Sequence, residues 1–155
     1  MKRVLWFLTH ALALAIGFAA GIYALPILIA PPPPDVGEVQ ALAGKAQFSA
    51  TFRRDLEGSD PLHWGEGTVT VSADAVTLHG QLAPGPDYKL YLSPEFVQTE
   101  AQFLQAKDTM VRIGDVKTFD NFIVAMPSSV DPARYTTVVV WCESFKQFIT
   151  AAQYR

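Results

Sequence analysis

The chain has 155 residues, half of them hydrophobic and 17% charged, with a net charge of −3 and one cysteine. Lys2 and Arg3 are the only charged side chains in the first 34 residues, so the remainder carries −5. An acidic domain without a basic stripe lacks the footprint that phosphate backbones need, so nucleic acid is not an expected partner, and one cysteine excludes an intramolecular disulfide framework or a Cys-x-x-Cys pair.

Val4 to Ala30 contains no charged side chain and is interrupted only by Thr9, His10, Gly17, Gly21 and Pro26. At about 1.5 Å per residue it spans roughly 40 Å as a helix, enough for a hydrocarbon core of about 30 Å. This predicts a transmembrane signal-anchor over residues 4–30. A cleaved secretory signal is the alternative, with Ala13-Leu14-Ala15 as the small-x-small site, but cutting there would leave Ile16 to Ala30 as an apolar end. Lys2 and Arg3 place the N-terminus in the cytoplasm and the C-terminal domain outside, periplasmic or extracellular. Trp6 and Tyr23 sit near the two interfaces, and His10 is expected to be a neutral interfacial histidine rather than a ligand. Pro26 is expected to kink or end the helix.

Pro31 to Pro34 favour polyproline II, a stiff spacer. Asp35 with Glu38 three residues on, then Val39, Leu42 and Gly44, predicts a short helix closed by glycine. Residues 31–45 therefore read as a tether with a linker helix, and 46–155 as one extracytoplasmic domain.

From Ala46 the hydrophobic period becomes two. Ala46–Arg53, Gly67–Val71, Val76–Leu82, Tyr88–Leu92, Met110–Ile113, Phe119–Met126, Tyr135–Phe145 and Gln147–Ala152 predict eight short strands, the second and third forming a hairpin around Ala73-Asp74. Frequent Gly, Pro and Asp turns between them point to a mostly β domain, an antiparallel β-sandwich or barrel. Ser93-Pro94-Glu95 reads as the N-cap and first turn of one helix, with Phe96, Val97, Ala101 and Leu104 on its apolar stripe, covering one end of the sheets. Val138, Val139 and Val140 make the Tyr135–Phe145 strand apolar on both parities, as in a central strand. Parity puts Cys142 with Val138 and Val140, and Trp141 with Val139 and Phe145.

Two stretches carry polar chemistry. In Leu56 to Gly67, Asp60, His63 and Glu66 recur every three residues among glycines and offer oxygen and imidazole ligands for a metal. A plain turn at Gly58-Ser59-Asp60-Pro61, with His63 bonded to backbone, is the simpler account. The other is Cys142, since a lone thiol is unusual in an oxidising compartment, although a small hydrophobe packed in the core explains it equally.

The succession Leu56-x-Gly-Ser-Asp60-x-x-His63-x-Gly65-x-Gly67, then Gly85-Pro-Asp87-x-x-x-Tyr91-Leu-Ser93, then Ile113-Gly-Asp-Val-Lys117, then Tyr135-x-x-Val-Val-Val-Trp-Cys142-x-x-Phe145 closely resembles the DM-thirteen domain. That family comprises small extracytoplasmic domains found beside DOMON domains in Skeletor-like animal proteins and alone behind bacterial signal anchors. The resemblance runs from Phe48 to about Ala152. It implies a β-rich fold and a redox or electron-transfer role centred on a cysteine, here Cys142. The chain departs from the family pattern at Phe119-Asp120-Asn121-Phe122, where a Gly-rich turn is usual, and has no DOMON or cytochrome-like domain, so a redox partner or cytochrome would be a separate protein.

Two functions are therefore expected. In the first, a membrane-anchored domain works in electron transfer through Cys142, as a bare thiolate or as a ligand to a haem or metal. His63 would lower the thiol pKa or supply a second ligand, and Asp60 would orient it. In the second, a non-catalytic sandwich binds or supports other envelope components, and Cys142 only packs. No phosphate loop, Ser-His-Asp signature or paired-cysteine motif points to a complete enzyme.

Overall fold

A computed structural model describes all 155 residues. The first element, α1 (Lys2–Ile29), has exposed side chains almost throughout, with Pro26 its one buried residue. A helix that is apolar all round and uncovered is long and apolar enough to cross a membrane. His10 turns back onto its own helix, with Nδ1 2.8 Å from the Trp6 carbonyl. Pro26 does not end the helix. The chain leaves it at Ala30, which is extended (φ −57°, ψ 136°) ahead of Pro31, because a residue preceding proline is driven out of the helical region.

The next helix, α2 (Val36–Ala43), is capped by the Asp35 carboxylate, which accepts from the Gly37 N–H at 2.7 Å. Its Val39 is fully buried, and the helix lies against the sheet.

Eight antiparallel strands follow: β1 (Phe48–Phe52), β2 (Gly65–Val71), β3 (Ala75–Leu82), β4 (Tyr88–Ser93), β5 (Val111–Val116), β6 (Asp120–Ala125), β7 (Thr137–Cys142) and β8 (Gln147–Gln153). They form two four-stranded sheets, in the orders β1-β2-β3-β6 and β5-β4-β7-β8. The expected mostly β sandwich is what forms. The β2–β3 hairpin closes where expected, with the Ser72 hydroxyl accepting from the Asp74 and Ala75 N–H groups.

Between β3 and β6 the register shifts after Leu78. Asn121 takes φ 52° there, and its side-chain oxygen accepts from the Gly80 N–H at 3.1 Å. Asparagine tolerates the left-handed region better than most residues, so one Asn supplies the positive φ at this irregularity.

The core between the sheets includes Val69, Val76, Leu78, Leu90, Val138, Val140, Cys142 and Ile149. A second cluster lies on the outer face of the second sheet: Leu56, Tyr91, Val97, Phe103, Val139, Trp141 and Phe148. It is covered by α3 (Glu100–Ala106). This corrects two expectations. The helix covers a face, not one end, because every residue of β7 is buried and its outer side also needs a lid. It also starts later: Thr99 is the N-cap, accepting from the Gln102 N–H, whereas Ser93 is the last residue of β4 and its hydroxyl bonds to Glu95. Ser93 pairs with Thr137 in the sheet, and this ladder outcompetes its capping propensity. Phe145, expected on the Trp141 face, lies beyond the strand and is exposed.

Candidate functional site: a cavity shared by Cys142 and His63

Cys142 is the last residue of β7 and pairs with Tyr88, the first residue of β4. It is 2% exposed. Burial pushes its thiol above the ordinary value, partly offset by the nearby backbone N–H groups of Phe145, Asp87 and Ser144. The turn that supplies two of those donors is held down. Asp87 accepts from the Ser144 hydroxyl at 2.8 Å and pairs with Lys89 at 2.6 Å, and its carbonyl accepts from the Glu143 N–H. Lys89 in turn reaches Asp115 at 3.0 Å, and Arg112 reaches the same carboxylate at 2.6 Å. The Lys89 hydrogen bond holds Asp87 below the usual carboxylate range, against the opposing effect of burial.

The Leu56–Gly67 loop is fastened to the β4–α3 connection by the Gly58 N–H, which donates to the Gln98 carbonyl at 2.9 Å; a Cβ on Gly58 would meet that carbonyl at 2.6 Å. Within the loop, Asp60 Oδ1 accepts from the N–H groups of Leu62 and His63, and Oδ2 contacts His63 Nδ1 at 2.7 Å. Burial acts to raise the Asp60 pKa, but these bonds outweigh it and the carboxyl sits below its usual range. Holding Nδ1–H on a carboxylate fixes the imidazole tautomer and leaves Nε2 as the acceptor. Asp60 therefore orients His63.

Glu66 does not join them. It forms a bidentate pair with Arg54, at 2.7 Å for each bond, and Arg54 stacks on Trp64 with its guanidinium carbon 3.3 Å from the ring centroid. The metal set of Asp60, His63 and Glu66 is thus broken. The three-residue spacing suggested one face, but Gly65 already begins β2 and carries Glu66 towards Arg54.

His63 and Cys142 are 79 positions apart in the chain, yet they line the same cavity, of about 220 Å³. The rest of its wall is largely apolar: Leu62, Pro84, Pro86, Phe145 and Ile149 from the domain, and Ala19, Ile22 and Tyr23 from α1. Tyr88 also borders it, its hydroxyl donating to the Ala83 carbonyl at 2.8 Å and its pKa driven up by burial. Tyr88 and the α1 residues escape inference from sequence. The register of β4 against β7 puts Tyr88 beside Cys142, but nothing in the pattern of an apolar helix says that its C-terminal third will lie over the domain.

The donor set tests the expected cofactors. No group of three or more His, Cys, Asp and Glu side chains is arranged to hold a metal ion. The cavity is smaller than the roughly 300 to 1,000 Å³ of pockets that take drug-sized ligands, so a porphyrin does not fit it. A resident haem or metal centre on Cys142 and His63 does not suit this geometry.

What fold and site define is a small antiparallel sandwich with one buried thiol beside a histidine-lined cavity at its end. The family model described as electron transfer DM13 matches residues 55–154, and the chain belongs to the DM13 family. No curated protein and no solved structure matches it. The match takes in His63, Tyr88 and Cys142 and leaves out α1, α2 and β1.

Proposed function

We propose that the chain is a membrane-tethered electron-transfer domain whose working site is the cavity shared by Cys142 and His63. Residues 4–30 anchor it with the N-terminus in the cytoplasm, 31–45 connect, and 46–155 work in the periplasm or outside the cell. The description of its family as electron transfer supports the redox class. The observation that carries the site is that the loop histidine and the strand-end cysteine meet at one cavity beside the anchor helix. The Cys142 thiol gives one electron to the partner and its proton to His63 Nε2, becoming a thiyl radical, Asp60 stabilises the imidazolium so formed, and return of the electron and proton restores the thiol. Electrons pass to or from a separate redox protein or cytochrome, so the chain is one component of a pathway rather than a complete enzyme.

The test uses cells producing the full chain, supplied with a respiratory substrate, with reduction of external ferricyanide followed by absorbance. The chain is expected to raise the rate, and Cys142→Ser or His63→Ala to return it to that of cells lacking the chain. A rate indifferent to the chain overturns the proposal. A second reading, in which the sandwich only binds or supports and Cys142 only packs, is favoured by the burial and raised pKa of the thiol. It requires that Cys142→Ser, once shown to fold, leave every phenotype of the chain unchanged.

A further inference from the structure

The cavity has a chemical character that narrows its occupant. No lysine or arginine borders it, and the nearby Lys89 is already shared by Asp87 and Asp115. An anionic headgroup or a fatty-acid carboxylate would find no counter-charge. The wall is mostly apolar, and its hydrogen-bonding side chains are His63 through Nε2, the Tyr23 hydroxyl and the Gln147 amide, whose NH2 is turned to Glu100; His63 Nδ1 is held by Asp60 and the Tyr88 hydroxyl is spent on a carbonyl. A cavity of about 150 Å³ holds benzene, so 220 Å³ takes one six-membered ring with a few small substituents.

Its place relative to the anchor gives the route of entry. A hydrocarbon core takes about 20 helical residues. Counted from Val4, just after Arg3, that reaches Tyr23, and the cavity wall contributed by α1 is Ala19, Ile22 and Tyr23. The cavity therefore lies at the outer lipid–water boundary. Leu62 and Phe145 stand at its rim, 56% and 52% exposed. Large apolar side chains left bare beside an anchor have the bilayer as their natural cover.

We infer that the cavity binds the ring of a lipid-soluble quinol or quinone, admitted from the bilayer between α1 and the domain. A quinol hydroxyl donates to Nε2 of neutral His63, a quinone carbonyl accepts from the same nitrogen when the imidazole is protonated, and the isoprenoid or alkyl tail stays along α1. This inference rests on the proposed electron-transfer reading and names the small molecule that the site meets.

The experiment uses the full chain in detergent and a decyl-substituted methoxybenzoquinone, with binding followed by equilibrium dialysis and decylbenzene as the comparison ligand. Saturable binding of the quinone, not of decylbenzene, is expected. His63→Phe keeps a ring and removes the hydrogen bond, and should weaken binding about tenfold. Ile22→Trp fills the cavity from α1, outside the sandwich, so it cannot unfold the domain, and should abolish binding. No saturable binding, equal binding of decylbenzene, or binding indifferent to both substitutions overturns the inference. Ferricyanide reduction that depends on Cys142 and His63 in a chain that binds no quinone sinks this inference and leaves the proposed function standing. Quinone binding without chain-dependent reduction does the reverse.

Discussion

Trp141 and Cys142 are neighbours on one strand, both buried, and they meet opposite fates. On the Trp141 side the sheet is sealed: Phe103 of α3 stacks on the indole at 4.0 Å with 10° between the planes, and Tyr91 meets Phe103 edge-on at 5.3 Å. Lys107 reaches Glu143 at 2.6 Å over this layer, and the Tyr91 hydroxyl donates to the same carboxylate. On the Cys142 side the packing stops short and leaves a cavity whose remaining wall comes from α1. A strand apolar on both faces demands two covers, and the matched segment supplies both, α3 on the Trp141 face and β2, β3 and β6 of the first sheet on the other, so that only the wall at the strand's end beside Cys142 is shared with α1. The face sealed by α3 does structural work, whereas the open end beside Cys142 is the place where the proposed site lies.

The contrast breaks if the two residues respond alike to truncation. Trp141→Ala removes the centre of the aromatic layer, and large-to-small changes of this kind cost about 3 to 5 kcal/mol. Cys142→Ala deletes one sulfur beside an existing cavity and should cost on the order of 1 kcal/mol. Chemical denaturation of the full chain in detergent, followed by fluorescence of the remaining tryptophans or by circular dichroism, measures both. Trp141→Phe should cost clearly less than the alanine change. It keeps the stack on Phe103 and removes an indole N–H that is buried with no partner, a group that is expensive to leave unpaired. Equal losses for Trp141→Ala and Cys142→Ala would mean that the cavity side is as tightly packed as the other.

Much of this was legible in the chain. The alternation from Ala46 onwards yields eight strands in the right order because each sheet has one face against a common core, and period two records that burial directly. The double-faced burial of Val138 to Cys142 is likewise explicit in its unbroken apolar run, as is the capped helix at Asp35. What local sequence could not carry was competition between elements. Ser93-Pro94-Glu95 has the residues of a helix start, yet strand pairing with Thr137 claims Ser93, and the helix waits for Thr99. Glu66 fits a ligand spacing, but Arg54, twelve residues upstream, takes it. The site was half visible. Asp60 and His63 are close enough in sequence for their bond to be foreseen, whereas the convergence of His63 and Cys142 on one cavity depends on how loop, turn and the N-terminal helix come together.

The thiol sharpens the comparison through pH. Its folded pKa is raised by burial, so the stability this contributes is present below the ordinary thiol value of about 8.5 and is lost as pH rises towards the folded value. Alkylation requires the thiolate. Labelling of native Cys142 by iodoacetamide should therefore be at least about tenfold slower than in the denatured chain at pH 8, since the reagent must also wait for an opening. Its rate should still be climbing above pH 9, where an unperturbed thiol levels off. Native labelling as fast as denatured labelling would mean an open, ordinary thiol and would remove the distinction between a buried sulfur and the cavity beside it.

The smallest expected effect concerns the group that holds His63. The Asp60 pKa is lowered because the hydrogen bonds from His63 and the backbone outweigh burial. The stability it supplies is therefore present above the unfolded carboxylate value of about 3.9 and is lost as pH falls through the lower folded value. Asp60→Asn should lower Tm slightly and by a constant amount above about pH 5, and the difference from the parent chain should close in more acidic solution. The exposure of the carboxylate, about half, limits the size of the effect through solvent screening. Ring resonances of His63 followed by NMR provide the sharper readout: in Asp60→Asn the imidazole loses its ionic partner at Nδ1 and should exchange between tautomers, while the Trp141–Phe103 layer stays unchanged. A His63 ring that keeps one tautomer without Asp60 would place its orienting contact elsewhere in the cavity wall.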